Sequence, residues 1–143
     1  ARAERYTEQG QAAKKILEKI ELAEGIVEFV VYAPLIAKSA RAGQFVRVLG
    51  WEQGELIPLT LADWDTEQGT IDLVIQSLGS SSMKINQMET GDVISGIAGP
   101  LGLPSQLHAY ENGETVVFTA GGVGLPPVYP ICVSICAWVI MLP

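Results

Sequence analysis

The sequence predicts a mainly β protein, a closed barrel or sandwich of about six short strands with one short helix, followed by the beginning of an α/β unit. Three observations predict it. Short apolar runs rich in β-branched and aromatic residues recur about every ten to fifteen residues, with Gly and Pro turns between them. "TIDLVIQSLG", from Thr70 to Gly79, sets Ile71, Leu73 and Ile75 against Asp72, Val74 and Gln76, the period of two that marks a strand with one buried face. The run "ETVVFTAGG" has no such alternation and ends in glycines, as does a strand covered on both faces that turns into a helix.

The elements follow in order. Residues 1–13, rich in Glu, Gln, Ala and Arg, read as an N-terminal tail or short helix. In "KKILEKIELAEGIVEFVVYAP" two apolar runs flank the Glu24-Gly25 turn signal, which makes them an antiparallel pair ending at Pro34. "AGQFVRVLG" is a strand bounded by Gly43 and Gly50. "ELIPLTLAD" is another, confined by Pro58 to an edge or a bulge, because proline cannot donate to a sheet ladder. After Thr70–Gly79 the serines at 80–82 can cap a helix, Met83, Ile85 and Met88 have helical spacing, and Gly91 can end it. "DVISGIAGP" and "ETVVFTAGG" complete the strands. The domain boundaries implied are a barrel over residues 14–110 and the start of a second unit over 111–143.

Composition narrows the function classes. A net charge of −7, 17% charged residues and no long Lys/Arg cluster argue against nucleic-acid binding. The apolar run from Ile131 to Leu142 falls short of the roughly 20 residues that span a bilayer, and Pro126, Pro127 and Pro130 interrupt its extension, so no membrane role is expected. Nothing near the N-terminus has the apolar core of a signal peptide, and the cytoplasm is the expected compartment. Cys132 and Cys136 form no recognisable metal or disulfide pattern; they are read as packing residues, and no metal site is expected. His108 is read as a surface histidine, and Trp51, Trp64 and Trp138 as packing or surface contacts.

Four stretches carry possible chemistry, each with a plainer alternative. In "LIPLTLADWD" a proline bulge can aim a main-chain group and the hydroxyl of Thr60 at a flat ligand, or the segment is simply an edge strand. "LGSSSMKI" offers free N–H groups and hydroxyls to a phosphate, or a serine that caps its own helix. "GIAGPLGLP" is a close backbone approach or a tight loop. "AGGVGLPP" has the G-G-x-G form of a strand-to-helix turn that admits a dinucleotide phosphate.

Taken in order, "GQFVRVL…IPLTLADWD…TIDLVIQSLGSSSMKI…GDVISGIAGPLGLP…ETVVFTAGGVGLPPVYPI" resembles the flavin-binding half of the ferredoxin–NADP reductase superfamily over about Lys14 to Ile131. The likeness is to the branch with the small subunit of NADH-dependent ferredoxin:NADP oxidoreductase, the sulfide dehydrogenase subunit and the electron-transfer subunit of dihydroorotate dehydrogenase. It implies a six-stranded antiparallel Greek-key barrel that holds FAD, then the first strand and turn of a truncated α/β domain for NAD(P)H. It also implies roles. Pro58, Leu59 and Thr60 would lie against the isoalloxazine, with Thr60 as the catalytic candidate near its reactive edge. Gly79, Ser81 and Ser82 would cradle the pyrophosphate. Gly99, Pro100 and Gly102 belong to the loop leading out of the barrel, and Gly121, Gly122 and Gly124 would open the nicotinamide site.

The sequence departs from the pattern at three places. Leu56 stands where an Arg usually precedes I-P-L-T and pairs with a flavin phosphate, Pro126 replaces a small residue, and the apolar "CVSICAWVIMLP" replaces a polar helix. The expected function is an electron-transfer module that passes electrons between nicotinamide nucleotide, FAD and an iron–sulfur or ferredoxin-type partner. The alternatives are a non-catalytic barrel used for assembly or docking, and a truncated product without independent activity.

Overall fold

The computed structural model describes residues 13–108, 110 and 113–140. Six strands make one antiparallel sheet: β1 (Ile16–Ala23), β2 (Ile26–Tyr32), β3 (Phe45–Leu49), β4 (Leu56–Asp65), β5 (Thr70–Gln76) and β6 (Gly96–Leu101). Their spatial order is β1-β2-β5-β4-β3-β6, a Greek-key arrangement in which a long connection from β5 carries the chain across to β6. The two outer strands do not leave long free edges. Ile16 N–H donates to Asp92 C=O at 2.8 Å and Gly91 N–H to Ile16 C=O at 2.8 Å, while Lys15 bridges Val93, so the entry to β1 meets the approach to β6 and the sheet curls toward closure.

Alternation places the core. Val27, Phe29 and Val31 of β2 face Ile71, Leu73 and Ile75 of β5 on the inside, and Val46, Val48 and Leu61 complete the wall. From Ile71 on, the odd positions of β5 are buried and the even ones half-buried, as its two-residue period predicts; Thr70, at the strand's start, is also buried. Ile16, Ile85 and Ile94 plug the ends of this core.

Three features differ from the expectation. A one-and-a-half-turn helix, α1 (Pro34–Ser39), follows β2; its proline occupies the first turn, where the missing N–H costs nothing, and it buries Ile36 and Ala37. The expected short helix is α2 (Ser80–Asn86). The strand expected in "ETVVFTAGG" does not form: residues 114–121 have no regular structure, and Val117 is 76% exposed. An apolar strand of this kind is stabilised by neighbours on both sides and both faces, and among the described residues no parallel strand lies beside it. The glycines then make a single 3-10 turn, Gly122–Gly124, which opens into α3 (Leu125–Ile140). Pro126 and Pro127 fit the first turn of α3, and Ser134 Oγ donates to the carbonyl of the internal Pro130 at 2.7 Å. The helix lies over β4 and buries Ile135, so the apolar tail packs against the barrel as a helix. Among the described residues no helix is long and apolar enough to cross a membrane.

Candidate functional site

The site follows from a change of partner along β4. From Leu56 to Thr60 the strand pairs with β3, Phe45 opposite Thr60 and Leu49 opposite Leu56. From Leu61 to Asp65 it also pairs with β5, and the register slips between Leu61 and Asp63. At Leu61 the two strands part. Beyond that point the Ile57–Thr60 segment and the Val74–Gln76 segment face each other across an open cleft of about 500 Å³. Pro58, opposite Arg47 in the β3–β4 pair, therefore lies where β4 has β3 on one side and the cleft on the other, so its missing N–H breaks no bond to β5. Thr60 is half-buried at the fork.

The far end of the cleft is built by the turn from β5 into α2. Asn86 ties the helix to the strand, its Nδ2 donating to Ile75 C=O at 3.1 Å and to Ser77 Oγ at 2.8 Å. At the helix start the N–H groups of Leu78 and Gly79 both donate to Ser82 Oγ at 3.0 Å, and that hydroxyl donates back to Gly79 C=O at 3.0 Å. Ser82 thus caps its own helix. The first-turn N–H groups of the serines have no carbonyl partner within the helix, and all three serines line the cleft. A Cβ built on Gly79 would meet no atom within 4 Å, so the backbone here is bare to the cleft. Ser81 is nearly buried, and its Oγ donates to Glu55 Oε2 at 2.8 Å.

The electrostatics of the cleft are one-sided. Its lining includes Glu55 and no Lys or Arg. Leu56 is 47% exposed beside it, and Lys84 lies over the Trp51 ring at 4.2 Å instead. A second cavity of about 370 Å³ lies between β2, β4, β5 and the start of α3, with Glu28, Asp63 and Asp72 in its wall. Asp72 faces Asp63 directly across the β4–β5 pair, and burial followed by the charges of Asp63, Glu28, Glu18 and Asp65 pushes its carboxyl up to about 6. No group of metal-ligating side chains forms among the described residues.

The expected site residues separate into three groups. Pro58, Leu59, Thr60, Gly79, Ser81 and Ser82 line one cleft, although residues 61–78 divide the two segments in the chain. Gly99 and Gly102 stand elsewhere. A Cβ on Gly99 would meet Val46 Cγ1 at 2.7 Å, and one on Gly102, whose φ is +81°, would meet the Phe45 ring at 3.1 Å; both lie against core strand β3. Gly121, Gly122 and Gly124 shape the 3-10 turn, where Gly122 borders the acidic cavity and Val123, Pro126 and Pro127 reach over the cleft. His108 is exposed and stacks at 4.4 Å on Tyr110. Sequence reasoning missed Val74 and Gln76, whose place on the outward face of β5 was legible in its alternation, and Glu55, whose contact with Ser81 had no signal in the sequence.

The single six-stranded antiparallel sheet in the order β1-β2-β5-β4-β3-β6 fits the FAD-binding barrel of ferredoxin–NADP reductase-like proteins. The chain resembles that half of the superfamily in sequence as well as in fold. It is 38% identical over 122 residues to the dihydroorotate dehydrogenase B (NAD(+)) electron transfer subunit homolog of Thermotoga maritima, covering 85% of the chain and 42% of the relative. It is 42% identical over 121 residues to an uncharacterized protein in the adh 3′ region of Clostridium beijerinckii, covering 81% and 40%. The structure of NADH-dependent reduced ferredoxin-NADP oxidoreductase, solved in connection with flavin-based electron bifurcation, superposes with a TM-score of 0.84 at 36% identity, over 88% of this chain and 45% of that one. Phthalate dioxygenase reductase shares the fold, with a TM-score of 0.64 at 19% identity, over 88% of this chain and 40% of that one. No family model matches the chain. The chain spans less than half the length of each of these relatives.

Proposed function

We propose that this chain is the FAD-binding module of a flavin-dependent NAD(P)H:acceptor oxidoreductase, passing electrons between nicotinamide nucleotide, FAD and an iron–sulfur or ferredoxin-type partner subunit in the cytoplasm. One observation carries the reading: Pro58–Thr60 and Gly79–Ser82, distant in sequence, converge on a single cleft at the fork of β4 and β5. The relatives are electron-transfer subunits and reductases, which agrees with it.

The residues present fit a flavin. The apolar wall of Ile57, Pro58, Leu59 and Val74 suits a flat ring and keeps water from its face. The Thr60 hydroxyl and the unpaired edge of β4 orient the ring by hydrogen bonds. The first-turn N–H groups of Ser80–Ser82, beside the uncrowded Gly79, suit a phosphate at the other end, which would compete for the hydroxyls that Ser81 and Ser82 now give to Glu55 and Gly79. When bound, FAD supplies the exchange between two-electron hydride chemistry and single-electron transfer; the protein supplies position and electrostatics. Gly121, Gly122 and Gly124 would belong to the nicotinamide site once the α/β unit is assembled around residues 115–119.

The absence of a cation from the lining, with Leu56 beside it, favours a second reading: a barrel that has kept its fold for docking and not its flavin. Absorption spectra of the purified chain before and after incubation with FAD decide between them. Retained or reconstituted flavin at one per chain is expected. A colourless protein that takes up no FAD would overturn the flavin reading in favour of docking.

A further inference from the structure

The flavin cleft carries a carboxylate at the end where the phosphates of FAD belong. Glu55 lies in the loop before β4, and its Oε2 accepts the hydroxyl hydrogen of Ser81 at 2.8 Å. Glu55 is itself exposed, but Ser81 is only 9% exposed, and this contact holds the carboxylate at the wall of the cleft that both residues line. Nothing in the lining neutralises it. Arg47, opposite Pro58 in the β3–β4 register, is exposed and does not line the cleft, and Lys84 is engaged with Trp51.

We infer that Glu55 is a specificity-determining residue of the cleft, weakening ligands that carry phosphate while leaving the flavin ring's own binding untouched. This rests on the flavin reading above. The physical reason is range. The ring meets the apolar wall and the edge of β4, interactions that do not sense a charge beyond Ser81. A pyrophosphate bound at Gly79–Ser82 brings negative charge next to a fixed carboxylate and also competes for the hydroxyl that Glu55 now holds. Like charges at that separation, partly screened by water, change affinity by about five- to tenfold. The consequence is a site that binds FAD more weakly than its ring contacts allow, with Glu55 setting the difference between FAD and riboflavin.

Glu55→Gln isolates the effect, because its amide oxygen still accepts from Ser81 while the charge is gone. Dissociation constants for FAD and for riboflavin are measured by quenching of flavin fluorescence on wild type, Glu55→Gln and Glu55→Lys. The expected result is FAD bound about five- to tenfold more tightly by Glu55→Gln and more tightly still by Glu55→Lys, with riboflavin unchanged within twofold. Unchanged FAD affinity, or equal shifts for FAD and riboflavin, would overturn the role given to Glu55 while leaving the flavin site standing. Failure of all three proteins to bind either flavin would overturn the flavin reading and this inference with it.

Discussion

Two glycines expected at one ligand should respond in opposite ways when each is given a methyl group. A Cβ on Gly99 would stand 2.7 Å from Val46 Cγ1, 3.3 Å from Val46 Cβ and 3.4 Å from the Phe45 carbonyl oxygen. Val46 is fully buried, and a β-branched side chain has little rotamer freedom with which to yield. Overpacking of this kind costs about 1–3 kcal/mol. Removing a glycine also restricts the unfolded chain and returns about 0.4–1 kcal/mol, so Gly99→Ala should lose about 1–2 kcal/mol net. For a chain of this size that lowers Tm by about 4–8 °C.

Gly79→Ala meets nothing within 4 Å, and its φ of −137° suits any residue. Its stability cost is confined to the helix cap and stays below about 1 kcal/mol. The new methyl group projects into the cleft, however, so FAD affinity should fall by about tenfold. Thermal unfolding and flavin titration of both variants make the assay. A Gly99→Ala protein that keeps its Tm within about 2 °C and loses flavin would refute the packing argument and make Gly99 a ligand contact. A Gly79→Ala protein that binds FAD normally would refute the account of the bare backbone.

Asp72 gives a pH dependence with a defined sign. Its carboxyl titrates at about 6 in the folded protein against 3.8 as the ordinary value, so the unfolded chain loses this proton first as pH rises. Stability from this group is therefore full below about pH 4 and declines between about pH 4 and 6. Asp72→Asn should raise stability at pH 7 by about 1 kcal/mol, a figure reduced for the partial solvent screening of a half-buried group. The gain should vanish at pH 4 in urea unfolding, and an equal gain at both values would show that the cost of ionising Asp72, from burial and then from the charges of Asp63 and Glu28, is not its cause. Leu56→Arg puts a guanidinium between Glu55 and Ile57, two residues of the cleft lining; if it reaches a bound phosphate, a charge-assisted contact of about 1.5–3 kcal/mol would tighten FAD by at least about tenfold and leave riboflavin unchanged. Equal tightening of both in a fluorescence titration would mean that the arginine acts on the ring and not on the phosphates.

The period of two in β5, the turn at Glu24-Gly25 and the serine start of α2 were legible in the sequence, because each depends on contacts within a few residues or on one buried face. So were the two segments of the cleft, each as a motif. Their meeting was not. It depends on where β4 stops pairing with β5, and the register slip at Leu61 and Asp63 is settled by the curl of the whole sheet. A glycine packed closely against its neighbours, as Gly99 and Gly102 are, and one open to a cleft have the same appearance in a sequence. Only the neighbours, Val46 and Phe45 in one case and open cleft at Gly79 in the other, separate them.

The last strand shows the limit from the other side. "TVVFT" has the composition of a buried parallel strand, yet strand formation is a property of a pair, and here no partner strand covers it among the described residues. The tail behind it illustrates the same dependence: its prolines suggested interruption, but two fall in the first turn of α3 and the third is tolerated within a helix that the face of β4 holds in place. The amino-acid sequence determined which segments could be strands, where the chain turned and which side chains could meet a flavin. The tertiary structure decided which of them share a cleft, and that Glu55 sits among them, because distance between segments far apart in the chain is set by sheet register and curvature, and no local pattern encodes it.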